Sequence, residues 1–215
     1  MSTKAVIFDM DGVLLDSMRY HVLAWQKAFK PLGVDISSHE IYAREGENWR
    51  KSTVDFLKMG GYKITQENID EVFGQRSRIF REIFRPKVFS NARSLLKMLK
   101  SSGFKLGLVT ATPRADVGRM LPKSMTELFS IMVCGGDTKK GKPHPEPYLK
   151  ALKKLVLKPS QAIVIENAPY GIRSCKLAKI RCIAISTSLP KRYLKEADII
   201  LKSLNEVKAY FKKQK

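Results

Sequence analysis

Apolar positions along the chain recur in two patterns. The first is a short continuous run. Residues 4–9 carry one on Val6, Ile7 and Phe8, and others fall at 105–110, 131–134, 162–165, 181–185 and, more weakly, 197–201. Runs of this length without polar alternation predict strands buried on both faces. The second pattern is a helical stripe. Met18, Val22, Trp25 and Phe29 follow Ser17, which can cap a helix, and Pro31 and Gly33 end the segment. Residues 47–59 carry Trp49, Val54, Phe56 and Leu57 up to the Gly60-Gly61 break. Residues 65–84 carry Ile69, Val72, Phe73, Ile79, Phe80 and Ile83. No strand pattern appears between the first strand and Phe84.

After Pro86 the two patterns alternate, with helical stretches at 91–100, 113–121, 145–157, 168–178 and 203–211 between the strands. Strand-helix alternation with apolar strands predicts an α/β fold: a doubly wound parallel sheet of Rossmann-like form, covered by helices on both faces. The all-helical stretch then reads as an inserted helical cap. The expected division is 1–15 with 86–215 as the α/β core and 16–85 as the insert.

Composition narrows the class. A chain of 215 residues allows one domain, or one with a smaller insert. A hydrophobic content of 44% supports a real core and excludes a wholly disordered chain. Apolar runs such as 162–165 are too short to span a bilayer, and no cleavable apolar leader precedes the first strand. A soluble cytoplasmic protein without a membrane partner is expected. Lys and Arg number 40 against 20 Asp and Glu, a net charge of +20. Such a charge attracts anions but does not specify a fold. The basic residues are spread along the chain, and only Lys208, Lys212, Lys213 and Lys215 cluster. Nucleic acid is therefore expected only as a non-specific electrostatic partner. Cys134, Cys175 and Cys182 lack CxxC spacing and read as small apolar residues of a reduced protein. No coiled-coil or other interface pattern appears, so a monomer or weak oligomer is expected.

In open α/β sheets ligands bind beyond the carboxyl ends of the strands, where strand order reverses. The residues following the strands are Asp9-Met10-Asp11-Gly12, Thr110-Ala111-Thr112, Gly141-Lys142-Pro143 and Glu166-Asn167. Four segments thus bring carboxylates, a hydroxyl, an ammonium and an amide to one edge. Asp9 and Asp11, two apart in an extended segment, point the same way while Met10 points away, and Gly12 permits a sharp turn. Carboxylates so close repel unless a cation intervenes, and Mg²⁺ prefers oxygen ligands. Val13-Leu14-Leu15 lacks the further ligands of a calcium loop.

The segment Phe8-Asp9-Met10-Asp11-Gly12-Val13-Leu14-Leu15-Asp16-Ser17 resembles the first motif of the haloacid dehalogenase-like hydrolases. Thr110, Lys142 in Gly-Lys-Pro-His-Pro-Glu-Pro-Tyr, and Glu166-Asn167-Ala168-Pro169-Tyr170-Gly171-Ile172 resemble their second, third and fourth motifs. The helical insert is similar to the cap of the β-phosphoglucomutase-like subfamily. The resemblance implies a phosphatase acting on a small phosphorylated metabolite. Asp9 would be the nucleophile and form an aspartyl-phosphate. Asp11 would act as acid and then base. Thr110 would hold a phosphoryl oxygen, and Lys142 would neutralise charge. Asp9, Asp11 through its carbonyl, Glu166 and Asn167 would hold Mg²⁺. Gly12, Ala111, His21, Glu45, Gly46 and Arg50 are the candidate substrate contacts.

Two departures from the subfamily pattern carry meaning. The fourth motif commonly reads Glu-Asp, and here it reads Glu166-Asn167, which removes a charge from the metal site. The mutases carry a lysine before a cap glycine, and here Glu45 precedes Gly46. Glu45 is therefore a candidate to compensate for Asn167, an arrangement that would suit pyrophosphate or a short phospho-acid. A phosphosugar mutase is the alternative within the enzyme class. A polyanion-binding protein with weak phosphatase activity is the alternative outside it.

Overall fold

The computed structural model describes residues 3–213; Lys215 of the basic tail lies outside them. At its centre is a six-stranded, all-parallel sheet in the order β3-β2-β1-β4-β5-β6. The strands are β1 (Ala5–Phe8), β2 (Lys105–Pro113), β3 (Ile131–Gly135), β4 (Ala162–Glu166), β5 (Arg181–Ile185) and β6 (Ile199–Leu201). This is the doubly wound order, and it reverses beside β1, with β2 on one side and β4 on the other. The continuous apolar runs are buried on both faces: Val6, Phe8, Leu106, Ile163 and Ile165 pack into one layer, and Ala5, Ile7, Val109 and Val164 into the other.

The insert between β1 and the next core helix contains α1 (Met18–Phe29), α2 (Ser38–Ala43), α3 (Trp49–Met59) and α4 (Gln66–Ile83). It has its own apolar core of Val22, Trp25, Phe29, Phe56, Leu57, Ile69 and Val72. Trp25 and Phe29 each meet Phe56 edge-on. Returning to the sheet, the chain forms α5 (Ala92–Ser101), α6 (Arg114–Met120), α7 (Lys123–Thr126), α8 (Glu146–Leu155), α9 (Pro169–Leu177) and α10 (Leu204–Lys212).

Several local expectations change. Ser17 precedes α1 but makes no capping bond, because its hydroxyl is committed to Asp11. The helix expected from residue 47 begins at Trp49, where the Asn48 side chain accepts the Arg50 N–H. Thr65 caps α4 in the same way, from the Asn68 N–H. The short helix α2 gives no readable stripe, since only Ile41 of its six residues is buried. Strand β2 runs past Thr110 to Pro113, with a register shift against β3 between Val109 and Pro113. Ala111 and Thr112 therefore lie on the strand rather than after it. All three cysteines are free and buried. No helix among the described residues is long and apolar enough to cross a membrane.

Candidate active site

The carboxyl ends of β1, β2 and β4 converge under the helical insert. Met10 is fully buried in the core, which turns Asp9 and Asp11 away from it. Asp9 is 2% exposed; its Oδ1 accepts from Lys142 Nζ at 2.5 Å, and its Oδ2 has no hydrogen-bond partner. Burial, with Glu166 and Asp11 nearby and Lys142 opposing, pushes the Asp9 carboxyl up to about 8. Lys142 is 3% exposed and bridges Asp9 and Glu166, at 2.5 and 2.6 Å, so it is no surface lysine. Burial alone would favour its neutral form, but the two carboxylates hold its pKa above the ordinary lysine value.

Glu166, expected among the metal ligands, has other partners for both oxygens in this structure. Its Oε1 accepts from Lys142 and from the Tyr148 hydroxyl at 2.7 Å, and its Oε2 accepts from the Asn167 and Ala168 amides. Both oxygens are occupied, so its geometry is that of a support for Lys142. Gly171 makes this possible: a Cβ there would stand 1.9 Å from Glu166 Oε1.

Asp11 is held by donors from three elements. Ser17 Oγ donates to Oδ1 at 2.5 Å, Thr112 Oγ1 donates to Oδ2 at 3.1 Å, and His21 Nε2 lies 3.2 Å from Oδ1. Burial raises the Asp11 carboxyl, but His21, Ser17 and Thr112 outweigh it and hold it below its ordinary value. The other ring nitrogen of His21, Nδ1, meets the guanidinium of Arg76 on α4. A guanidinium only donates, so Nδ1 accepts and Nε2–H points at Asp11. Burial keeps His21 below its ordinary pKa. Burial also lowers Arg76, to about 10, against the pull of Glu45 and Asp11. The Arg76 guanidinium lies over the Trp25 and Phe80 rings.

The site opens into a cavity of about 790 Å³ walled by Asp11, His21, Glu45, Gly46, Thr110, Ala111 and Lys142 on the polar side, and by Trp25, Trp49, Phe56, Phe73 and Phe80 on the other. The loop following α2 covers it. Gly46, at φ +77°, approaches Lys142 so closely that a Cβ would lie 2.5 Å from Cδ. The loop is braced by Arg44, which pairs with Glu40, Glu47 and Asp55. Glu45 lines the cavity, and burial together with Asp11 and Asp9 pushes its carboxyl well above the ordinary range.

Two expected substrate contacts fail. Arg50, at the exposed start of α3, turns outward to donate to Gln66 and does not reach the cavity. Gly12, at φ +77°, is covered by the Asn167 amide, whose Nδ2 would stand 2.1 Å from an added Cβ. It forms a turn, not cavity wall. Ser17, Thr112, Arg76 and Tyr148 join the site without being anticipated as members. Thr112 stood in the strand-end triplet and Ser17 in the first motif, but nothing in the sequence links Arg76 to a histidine 55 positions away.

A cation can be accommodated. Asp9 Oδ2 and Asn167 Oδ1 are buried oxygens without a hydrogen-bond partner, at the ends of the adjacent strands β1 and β4. No group of three or more His, Cys, Asp or Glu side chains forms a closed metal cage among the described residues. One carboxylate and one neutral oxygen suit Mg²⁺, which commonly takes few protein ligands and keeps water or substrate phosphate for the rest.

The family model for the haloacid dehalogenase-like hydrolases matches residues 6–185. The chain is 30% identical over 208 residues to validoxylamine A 7'-phosphate phosphatase of Streptomyces hygroscopicus subsp. limoneus, covering 95% of this chain and 96% of that one. It is 30% identical over 182 residues to a phosphorylated carbohydrates phosphatase of Thermotoga maritima, covering 84% and 83%. The crystal structure of β-phosphoglucomutase from Clostridium difficile superposes with a TM-score of 0.86 at 28% identity, covering 99% of this chain and 96% of that one. In motif, sheet order and length of match, the chain belongs to the haloacid dehalogenase-like hydrolases, with β-phosphoglucomutase-like proteins as its relatives.

Proposed function

We propose that this chain is a Mg²⁺-dependent phosphatase of a small phosphorylated metabolite, acting through an aspartyl-phosphate on Asp9. The observation that supports it most is the buried Asp9–Lys142–Glu166 cluster, whose lysine lines the covered cavity together with Asp11. An Asp9 oxygen attacks phosphorus in line with the leaving oxygen, forming the acyl-phosphate bond as the ester or anhydride P–O bond breaks. The charge of a bound phosphate would raise Asp11 from its low resting value, so that it carries the proton it gives to the leaving oxygen. A cation at Asp9 would lower that carboxyl and favour the ionised nucleophile. Asp11 then takes a proton from the water that cleaves the acyl phosphate, releasing phosphate and restoring Asp9. Lys142 offsets the phosphoryl charge, and Thr110 with the strand-end amides holds a phosphoryl oxygen. Asp9, the Asp11 carbonyl and Asn167 would hold Mg²⁺, which supplies charge neutralisation and orientation of the phosphoryl group.

Glu45 is the acid we assign to offset the missing charge of Asn167, since it faces the same cavity from the covering loop. If E45A leaves turnover and Mg²⁺ dependence unchanged, that assignment is wrong. Glu45 also stands where a mutase would carry a lysine, which argues against mutase chemistry. The cavity is larger than pyrophosphate needs, and one relative is named for phosphorylated carbohydrates and another for validoxylamine A 7'-phosphate. Phosphorylated sugars or polyols are thus the first substrates to try.

The test is phosphate release from a panel of sugar phosphates, short phospho-acids and pyrophosphate, with and without Mg²⁺, beside D9N. Mg²⁺-dependent release by the wild type and none by folded D9N is the expected result. Interconversion of a sugar phosphate without release would establish the mutase alternative. Release unaffected by D9N would overturn the assignment of Asp9.

A further inference from the structure

Asn167 has two chemically different ends, and only its oxygen can serve a cation. The side chain is fully buried. Its Nδ2 donates to Ser188 Oγ at 2.9 Å, while its Oδ1 meets no donor. Ser188 lies on the loop after β5, outside all four strand-end segments. The preceding residue anchors that loop: the Thr187 hydroxyl donates to the Gly12 carbonyl at 2.5 Å. The packing is tight, since a Cβ on Gly12 would stand 2.1 Å from Asn167 Nδ2 and 2.8 Å from Ser188 Oγ. The turn after Asp9 and Asp11, the Asn167 amide and the Ser188 hydroxyl thus form one cluster beside the cation site.

We infer that Ser188 is a positioning residue that sets which end of Asn167 faces the metal. By accepting the Nδ2–H outside the site, it leaves Oδ1 directed inward. Without that acceptor, the amide is free to turn its NH₂ toward the cation, where a donor is repelled. A carboxylate at this position needs no such device, because its two oxygens are equivalent. Ser188 is therefore tied specifically to the amide that replaces an aspartate in this chain. The inference rests on the proposal that Asn167 takes part in holding Mg²⁺.

The test is calorimetric titration of Mg²⁺ into the full chain as wild type, S188A, S188T, N167D and N167D/S188A. Partners that orient a ligand typically change metal affinity by 10–100-fold, so S188A should weaken Mg²⁺ binding at least about tenfold and S188T should restore it. In the N167D background the same S188A change should move affinity by less than about twofold, since there is no amide to orient. A purely structural role would instead weaken binding equally in both backgrounds, and that result overturns the inference. So does an unchanged affinity in S188A alone. If S188A does not fold, S188C, close in shape but a weak acceptor, carries the same comparison with the same expectation. No Mg²⁺ uptake by the wild type would overturn the metal reading and this inference with it. Uptake by the wild type with an indifferent Ser188 would overturn the inference alone.

Discussion

Replacing Lys142 by methionine tests whether the site is held together by charge. The side chain is 3% exposed, and its ammonium touches Asp9 and Glu166 at 2.5 and 2.6 Å. With charge centres roughly 4 Å apart and an effective dielectric near 20, each contact is worth about 4 kcal/mol before desolvation. Removing three charged groups from water offsets much of that gain. Breaking the pair leaves two buried carboxylates uncompensated, a net loss of about 3–5 kcal/mol. For a chain of this size each kcal/mol shifts the melting midpoint by about 2–4 °C, so K142M should melt roughly 6–20 °C lower. The assay is thermal unfolding at pH 7 without divalent cations, for wild type, K142M, E166Q and K142M/E166Q. The double variant should be more stable than K142M, because removing one carboxylate relieves the repulsion and the new amide can donate to Asp9. A K142M midpoint within about 2 °C of wild type would refute this reasoning, as that is below 1 kcal/mol. A double variant less stable than K142M would refute it too.

Three further outcomes follow from the geometry. G171A would place a Cβ 1.9 Å from Glu166 Oε1 and push that carboxylate off Lys142. It should cost about 1–3 kcal/mol in urea unfolding and at least tenfold in kcat, and normal turnover would show that Glu166 does not position Lys142. R76M removes the donor to His21 Nδ1 and frees the imidazole to take the wrong tautomer. It should lower kcat roughly tenfold with little change in KM, with partial rescue by R76K; a change in KM alone would contradict the relay. Asp198 accepts the Cys182 N–H at 2.7 Å and pairs with Lys176. Burial would raise its carboxyl, but these partners hold it below the ordinary value. Its contribution is therefore fully present above the unfolded pKa and fades as pH falls through the folded one. D198A should cost about 1–2 kcal/mol at pH 7, and the difference from wild type should shrink below about pH 4 in urea melts followed against pH.

The parts of this molecule legible in sequence are those set by local period. Buried parallel strands give continuous apolar runs, and each of the six strands overlaps its expected segment, with β2 overrunning by three residues and β3 and β4 by one each. The stripes Met18-Val22-Trp25-Phe29 and Ile69-Val72-Phe80 mark the buried faces of α1 and α4. Strand ends are legible as well, since β2, β1 and β4 are neighbours and Asp9, Thr110 and Asn167 fall at or near their carboxyl ends. What escaped was set by pairing across the chain. Ser17 reads locally as a helix cap, yet its hydroxyl is drawn to Asp11 six positions back. Arg76 and His21 come from helices that meet only when the insert folds, and no spacing rule joins them. Arg50 is a candidate substrate contact in sequence because it is basic and close to Glu45 and Gly46. The Asn48 cap starts α3 so that Arg50 faces Gln66 and solvent.

The chain carries a large excess of cations, whereas the cations of its site are already paired with carboxylates. A net charge of +20 draws anions toward the surface from any direction. Asp11, Glu45 and Glu47 line the cavity, and Asp9 and Glu166 lie buried behind Lys142. Lys142 answers two of these acids, Arg44 braces Glu47, and Arg76 is occupied by His21. An anion that reaches the cavity alone meets carboxylates and few uncommitted cations. One that arrives with a divalent cation meets two unpartnered oxygens, Asp9 Oδ2 and Asn167 Oδ1. Long-range attraction is thus indiscriminate, and under the proposed Mg²⁺ dependence the last few ångströms would favour a phosphate already paired with metal. The amide at Asn167 fits that balance, because each further carboxylate in the site would deepen the repulsion that an incoming phosphate must overcome.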